Sequence, residues 1–294
     1  MRILLKQSIR RLYYGEEEKL LLGRMISNQN KTRAVSSLKE VEFKVFSQWG
    51  DDGIIQFLVS KLDISNEFFI EIGVEDYRES NTRFLMMNNN WSGLVMDASK
   101  KNVENIRDSE YYWKYELTAL QAFVDRDNIN DLISAEGING KIDLLHIDID
   151  GNDYWIWDAI RAVDPTIVVT EYNSVFGPDR AITTPYQQDF RRNKAHYSKL
   201  YWGASLKALS ILADKKGYGF VGCNSAGINA YFVKRKKLNK EIKEIFLETG
   251  FVRSKFRDSR DKKGSLTFLA GEDRLKAISG LPVYNVMASR MEVI

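Results

Sequence analysis

The chain has 294 residues, is 44% hydrophobic and 12% aromatic, and carries 43 Lys and Arg against 40 Asp and Glu, a net charge of +3. Such a composition buries a large core and excludes a disordered chain. The charge is uneven: residues 1–40 hold nine basic and four acidic side chains, a local +5, so the other 254 carry 34 against 36, or −2. A slightly acidic body excludes a protein that coats nucleic acid, which needs basic side chains spread over its contact face. The single cysteine, Cys223, excludes a disulfide framework and a cysteine-rich zinc site, and fits a reducing cytoplasm. No run approaches the ~20 apolar residues of a membrane span. Lys6 and Arg10-Arg11 interrupt the apolar segment that a secretory leader needs, so none is expected.

In chain order, residues 2–26 space Ile3, Leu4, Leu5, Ile9, Leu12, Tyr13, Leu20, Leu21, Leu22 and Met25 as one or two amphipathic helices. The polar run 27–40 reads as a linker. This arm, residues 1–40, packs on the body or on a second subunit to give a homo-oligomer. The sharper alternative is contact with anionic lipid, since cations beside apolar residues suit that surface. From Glu67 onward, short apolar runs alternate with polar helical stretches, the signature of βαβ units. The runs are 68–73, 93–97, 117–123, 142–148 and 166–171. Their near-continuous apolarity predicts strands covered on both faces, hence a parallel sheet between helix layers. A loop over 174–200 precedes a helix over 202–216, ended by Gly217, and strands at 219–222 and 230–233. Residues 41–240 form the main domain, with 241–294 an extension packed on it.

In an open parallel sheet, ligands lie beyond the carboxyl ends of the strands, where the strand order reverses. The first strand ends Glu71-Ile72-Gly73, and Gly73 permits a tight turn with close approach of backbone to ligand. The loop that follows, 74–82, has neither the three glycines nor the Gly-Lys-Ser/Thr of phosphate-binding loops. Its acidity repels polyphosphate and tolerates a cation. The second strand ends in Asp97, 24 residues beyond Gly73, where a carboxylate either accepts both ribose hydroxyls of a nucleoside or caps the next helix. Together these features suggest a nucleoside without phosphates.

The residues here resemble the class I S-adenosylmethionine-dependent methyltransferases and, among them, the FkbM-like group. The resemblance rests on Ser47-Gln48-Trp49-Gly50-Asp51-Asp52-Gly53, Phe69-Ile70-Glu71-Ile72-Gly73, Gly93-Leu94-Val95-Met96-Asp97, the segment from His146 to Trp155 and Val169-Thr170-Glu171-Tyr172-Asn173. A bacterial subgroup shares an Ile-Asp-Gly-Asn-Asp-Tyr-Trp segment (here Ile149 to Trp155), a Pro-Tyr (Pro185-Tyr186) and the helix start from Tyr201 to Leu206. Coverage is about residues 43–285. The chain departs from the pattern at Glu75-Asp76-Tyr77-Arg78, where the family usually has a second glycine and a small residue. The resemblance implies an α/β, Rossmann-like fold with a mostly parallel seven-stranded sheet between helix layers, and S-adenosylmethionine as cofactor. It further implies that Glu71 and Gly73 line the methionine part of the cofactor, with Gln48 and Ser80 also on it. Asp97 would hold the ribose, Ala98 and Phe123 would flank the adenine, and Asp148 would lie beside the sulfonium or the substrate. Phe123 reads equally as an ordinary core aromatic.

The fourth run is followed by Asp148, Asp150 and Asp153, and the fifth by Glu171 and Asn173; the ends of neighbouring strands lie ~5 Å apart. Asp148, Asp150, Glu171 and Asn173 offer hard oxygen ligands that suit Mg²⁺, which would hold a substrate diol and acidify a hydroxyl. The alternative is that Asp150 and Asp153 cap the next helix. Methyl transfer to oxygen needs an in-line approach and a base. Asp148, His146 and His196 are the candidates. His146 lies two residues deeper than Asp148 and reads as a buried, hydrogen-bonded histidine. His196 stands among Arg191, Arg192 and Lys194, and reads also as a solvated loop residue. The same basic run suits an anionic group on the acceptor. Tyr186, Tyr201 and Trp202 either stack on a sugar ring or close a lid over core. The expected function is O-methylation of a polar small molecule, a sugar, nucleotide sugar or glycan precursor, with no nucleic acid involved. The rival expectations are another nucleotide-dependent enzyme on the same sheet and a non-catalytic interaction protein.

Overall fold

The apolar runs become strands because alternate residues of each can pack to opposite faces of one sheet. The computed structural model describes residues 2–294, with side chains from residue 15 onward. The elements in chain order are α1 (Arg2–Asn30), α2 (Asp51–Lys61), β1 (Phe68–Ile72), α3 (Arg83–Asn89), β2 (Ser92–Asp97), α4 (Lys100–Arg107), β3 (Leu117–Gln121), α5 (Ile129–Ala135), β4 (Gly140–Ile147), α6 (Asp153–Ala159) and β5 (Val163–Glu171). There follow β6 (Ile182–Thr183), α7 (Arg192–Ala195), α8 (Leu206–Lys215), β7 (Tyr218–Cys223), β8 (Asn229–Lys234), α9 (Leu247–Gly250), α10 (Glu272–Lys276), β9 (Pro282–Asn285) and β10 (Arg290–Val293).

Seven strands form the main sheet in the order β3-β2-β1-β4-β5-β8-β7. Four pairings are parallel and two, β5 with β8 and β8 with β7, are antiparallel. This is the mostly parallel, Rossmann-like seven-stranded sheet expected from the sequence, with helix layers on both faces. The chain moves outward from β1 through β2 to β3 and then returns to the other side of β1 with β4. The order therefore reverses between β1 and β4, which opens a crevice at their carboxyl ends.

Both faces are covered. Ile70, Ile72, Leu94, Met96, Leu145, Ile147 and Val168 pack on one side with Trp157 and Phe232, while Phe69, Val95, Leu144, Ile167 and Val169 pack on the other with Ile54, Leu58 and Met86. Alternation along each strand produces this split, and it puts Glu71 and His146, which are register partners, on the second side.

Three details differ from the sequence reading. The expected helix over 202–216 starts at Leu206, because Ser205 caps it by accepting from the Ala208 N–H; its far end matches, with Gly217 in the left-handed region at φ 82°. The expected loop over 174–200 contains β6 and the short α7. β6 joins β9 and β10 in a three-stranded antiparallel sheet that roofs a small core of Phe176, Ile182, Tyr201, Trp202 and Val283. Within the polar stretch 27–40, α1 continues to Asn30 and a capping box on Ser37 and Glu40 starts a single 3₁₀ turn.

The helix α1 lies against the body. A Cβ on Gly23 would stand 2.5 Å from Val45 and 2.9 Å from Phe84, so this crossing needs glycine. Glu16 pairs with the buried Arg83 guanidinium at 3.1 and 3.2 Å. Leu21, Leu22 and Met25 are exposed on the opposite face. The apolar and basic side chains of the arm before residue 15 lie outside the described ones. Among the described residues no helix is long and apolar enough to cross a membrane.

Trp157 is the largest fully buried side chain and sits against Phe232 (5.1 Å between ring centroids) and Tyr218 (5.9 Å). Truncating it leaves a cavity that its neighbours cannot fill. Trp157→Ala is expected to lower unfolding free energy by ~3–5 kcal/mol in urea titrations; a loss under about 1 kcal/mol would contradict the packing described.

Candidate active site

A cavity of about 650 Å³ opens at the carboxyl ends of β1, β2, β4 and β5. Its organising residue is Glu71. Buried at 2% exposure, the Glu71 carboxylate accepts from Ser80 Oγ (2.7 Å), Thr82 Oγ1, Thr82 N (3.2 Å), Asn81 N (2.9 Å) and His146 Nδ1 (2.9 Å). The five donors come from the loop after β1 and from β4. Burial pushes the carboxyl pKa up, but the bonds from His146, Thr82 and Ser80 outweigh it and the group is held below its ordinary value. Burial alone would lower the His146 pKa; the bond to Glu71 and its charge reverse this and raise it. The Asn81 amide, 2.9 Å from Nε2, completes the network. Glu71 lines the cavity, yet its oxygens are filled from within the protein, so it fixes the loop rather than holding the methionine part of a cofactor. Ser80 is likewise engaged, donating to Glu71 and accepting from the Thr82 and Arg83 amides.

Gly73 lies where β1 and β4 part. It has φ 86°, and a Cβ there would fall 1.6 Å from the Asp148 carbonyl oxygen, so no other residue fits. The missing second glycine is explained nearby. Glu75 and Tyr77 take left-handed conformations at φ 48° and 62°, a strain that the buried Tyr77 ring offsets through its hydroxyl, 2.8 Å from Thr82 Oγ1.

Asp97 faces the cavity at the end of β2. Oδ2 accepts from Glu75 N (2.9 Å), and Oδ1 from Ser99 N (2.8 Å) and Asn102 Nδ2 (3.0 Å). A carboxylate offers about four acceptor sites, so one more donor can be received from the cavity. Phe123 is 42% exposed and borders the cavity, so it is not a core aromatic; Arg191 stands 5.7 Å from its ring. Gln48 and Ala98 also line the space.

Asp148 and Glu171 form the floor. Burial and then the Asp148 charge push the Glu171 carboxyl far above the carboxylate range. Burial followed by the Asp150 charge raises Asp148 to about 7. Asp150 pairs with Arg192 at 2.8 Å. Asp153 closes the turn into α6 by accepting from Ile149 N (3.0 Å) and Gly151 N (2.9 Å). The segment 190–194 lines the cavity with Phe190, Arg191, Arg192 and Lys194, and is tied down by the Arg192–Asp150 pair and, just before it, by Asn152 Nδ2 on the Gln187 carbonyl (2.8 Å).

Several expected site residues are placed elsewhere. Asn173 cannot serve a metal: its amide nitrogen donates to the Leu200 and Trp202 carbonyls and its oxygen accepts from Val175 N. With Asp150 paired to Arg192, the expected Mg²⁺ set of Asp148, Asp150, Glu171 and Asn173 does not assemble; among the described residues no three such side chains converge on a metal position. His196 does not line the cavity. It contacts Ser198 Oγ (2.7 Å) and the Tyr197 ring, and burial with the Lys262 charge lowers its pKa. Tyr186 lies under the Arg126 guanidinium, and Tyr201 and Trp202 are core residues, so none of the three faces the cavity. The structure adds Trp49, Asn81, Phe190 and Asn229 to the lining. Trp49 stands inside the Ser47–Gly53 motif, where an aromatic beside a glycine was the available signal; Asn229 had none.

No family model matches the chain, and no curated protein matches it in sequence. Among solved structures it is similar to the O-methyltransferase from Bacillus cereus in complex with SAH (14% identical, 75% of this chain and 91% of that, TM-score 0.41). It is also similar to an S-adenosylmethionine-dependent methyltransferase from Clostridium acetobutylicum (11% identical, 62% and 89%, TM-score 0.39) and to the N-terminal domain of EvdMO1 with SAH bound (10% identical, 71% and 94%, TM-score 0.40). Likenesses this distant carry nothing about chemistry, which rests on the cavity itself.

The Glu71–His146 pair gives a pH signature. Glu71 is held below 4.5 and His146 above 6.5. The carboxylate's contribution is therefore complete above pH 4.5 and fades as the pH falls further; the histidine's is complete below pH 6.5 and fades as the pH rises through its folded value. Glu71→Gln is expected to cost ~3 kcal/mol, most between pH 4.5 and 6.5 and less on both sides. A loss that is independent of pH would contradict the pair.

Proposed function

We propose that the chain is an S-adenosylmethionine-dependent O-methyltransferase of the FkbM-like group, acting on a polar hydroxyl compound such as a sugar or glycan precursor. The observation that supports this most is the pairing, within one cavity, of a ribose-type acceptor at Asp97 with an acidic floor and a loop unable to hold phosphates. The loop bears Glu75, Asp76 and Glu79, and Glu75 is raised by burial and then by the Asp97 charge. A dinucleotide would meet repulsion there, whereas a nucleoside with a sulfonium and an ammonium group is favoured. Asp97 would hold the ribose, Phe123 and Ala98 would flank the adenine, and Gly73 lets the backbone approach the amino-acid part. When bound, this cofactor supplies the methyl group.

Asp148 is the base on this reading. With its pKa raised to about 7, Asp148 is a carboxylate above that pH and able to accept the proton of an acceptor hydroxyl, beside Glu171, which burial and the Asp148 charge push higher. Arg191 and Lys194 on the segment 190–194 would meet an anionic group of the acceptor. Cys223, free and buried, fits a reducing cytoplasm.

The experiment is labelled methyl transfer from S-adenosylmethionine to a panel of nucleotide sugars and glycosides, with products identified by mass. A product one methylene heavier is expected, with a rate that rises as the pH passes through about 7. Asp148→Asn should cut kcat by ~10²–10⁴-fold while retaining S-adenosylhomocysteine. A flat pH profile, or an active Asp148→Asn, would remove Asp148 from the reaction.

A further inference from the structure

One part of the cavity lining, at Trp49, is built and has no role so far. Trp49 is 38% exposed and borders the cavity. Phe256, from the C-terminal region, backs it as a parallel stack at 5.6 Å and 18°. The Arg274 guanidinium lies 5.8 Å behind Phe256 and donates to the Phe256 carbonyl. The segment before Trp49 is held from below, since Asp52 Oδ2 accepts from the amides of Val45, Phe46 and Ser47 at 2.7–2.8 Å and from Ser47 Oγ at 2.9 Å. Gly50, at φ 143°, follows it. An aromatic ring held this firmly at the mouth of a cavity is a platform rather than a piece of core.

Beside the platform lie oxygens without donors. Asn229 and Glu171 are register partners on β8 and β5, and both line the cavity. Asn229 is 5% exposed; its amide nitrogen donates to Asp51 Oδ1 at 3.1 Å, which leaves Oδ1 buried with no partner. Glu171 Oε2 is buried and unpartnered in the same way. Buried acceptors are costly unless a donor reaches them. A ligand that satisfies this wall needs a flat apolar face for the indole and hydroxyl donors around its edge.

We propose that Trp49, backed by Phe256, and the free oxygens of Asn229 and Glu171 form the acceptor subsite for a pyranose ring. The C–H face of the sugar rests on the indole, and its hydroxyls donate to Asn229 Oδ1 and Glu171 Oε2. This rests on the methyltransferase reading only in taking the Asp97 end for the donor.

The test is saturation-transfer NMR on the full chain with S-adenosylhomocysteine, using methyl α-D-glucopyranoside, methyl β-D-galactopyranoside and methyl α-D-mannopyranoside as probes, with catechol as the planar comparison. Transfer to the ring protons of at least one glycoside is expected. It should weaken about tenfold in Trp49→Ala, equivalent to about 1.4 kcal/mol, persist in Trp49→Phe, and fall in Asn229→Leu. Calorimetry of S-adenosylhomocysteine runs beside it. Unchanged donor affinity in Trp49→Ala shows that the variant is folded; if it is not, Asn229→Leu decides. No transfer to any glycoside, transfer to catechol alone, or equal transfer by wild type, Trp49→Ala and Asn229→Leu overturns the subsite. Glycoside binding that depends on Trp49 in a chain that does not bind S-adenosylhomocysteine upholds the subsite and refutes the donor reading.

Discussion

A buried carboxylate must be paired and hydrogen-bonded or it loses its charge, and the site depends on how Glu71 meets that demand. Its donors are drawn from the loop after β1 and, across the ladder, from His146 on β4. The loop therefore cannot swing away without stranding the charge. That fixes Gly73 beside the Asp148 carbonyl and holds Glu75 so that its amide reaches Asp97. The network extends outward as well: Arg83 follows Thr82 directly, binds Ser80 Oγ through its amide and Glu16 of α1 through its side chain. The helix α1 is thus coupled to the loop that shapes the cavity.

Charge is sorted along the same axis. The floor collects Glu71, Asp97, Asp148, Asp150 and Glu171, and the segment 190–194 brings Arg191, Arg192 and Lys194 to the same cavity. Among the described residues one ion pair joins the two, Arg192 with Asp150. The near-neutral total of +3 is an average over surfaces of opposite sign.

Much of this was legible in the sequence, and for identifiable reasons. The strands showed because each is buried on both faces, so apolar runs such as Ile142 to Ile147 are nearly continuous. The residues at their ends, Glu71, Gly73, Asp97, Asp148 and Glu171, could be picked out because the sheet rule fixes where ligands lie. Which oxygens are free was not legible. Glu71 looks like a ligand in sequence, and only the positions of Ser80, Asn81, Thr82 and His146 show it to be saturated. Asn173 fails as a metal ligand for the same reason, through carbonyls 27 and 29 residues away. For Tyr186, Tyr201 and Trp202 the sequence left two readings open, a sugar platform or a lid over core, and the C-terminal hairpin β9–β10, which pairs with β6, decides for core at Tyr201 and Trp202. That pairing spans about a hundred residues and leaves no local signal. Trp49 carries the converse lesson, since its partner Phe256 lies more than two hundred positions away.

The central proposal is that the cavity binds a nucleoside without phosphates through Asp97. Titration calorimetry with S-adenosylhomocysteine, run on the wild type and on Asp97→Ala and compared with NAD and ATP, tests it most directly. The account predicts binding of S-adenosylhomocysteine, a loss of ~1.5–3 kcal/mol in Asp97→Ala, and negligible heats with the two phosphate-bearing nucleotides. Preference for NAD or ATP, or an affinity for S-adenosylhomocysteine that Asp97→Ala leaves unchanged, would contradict it.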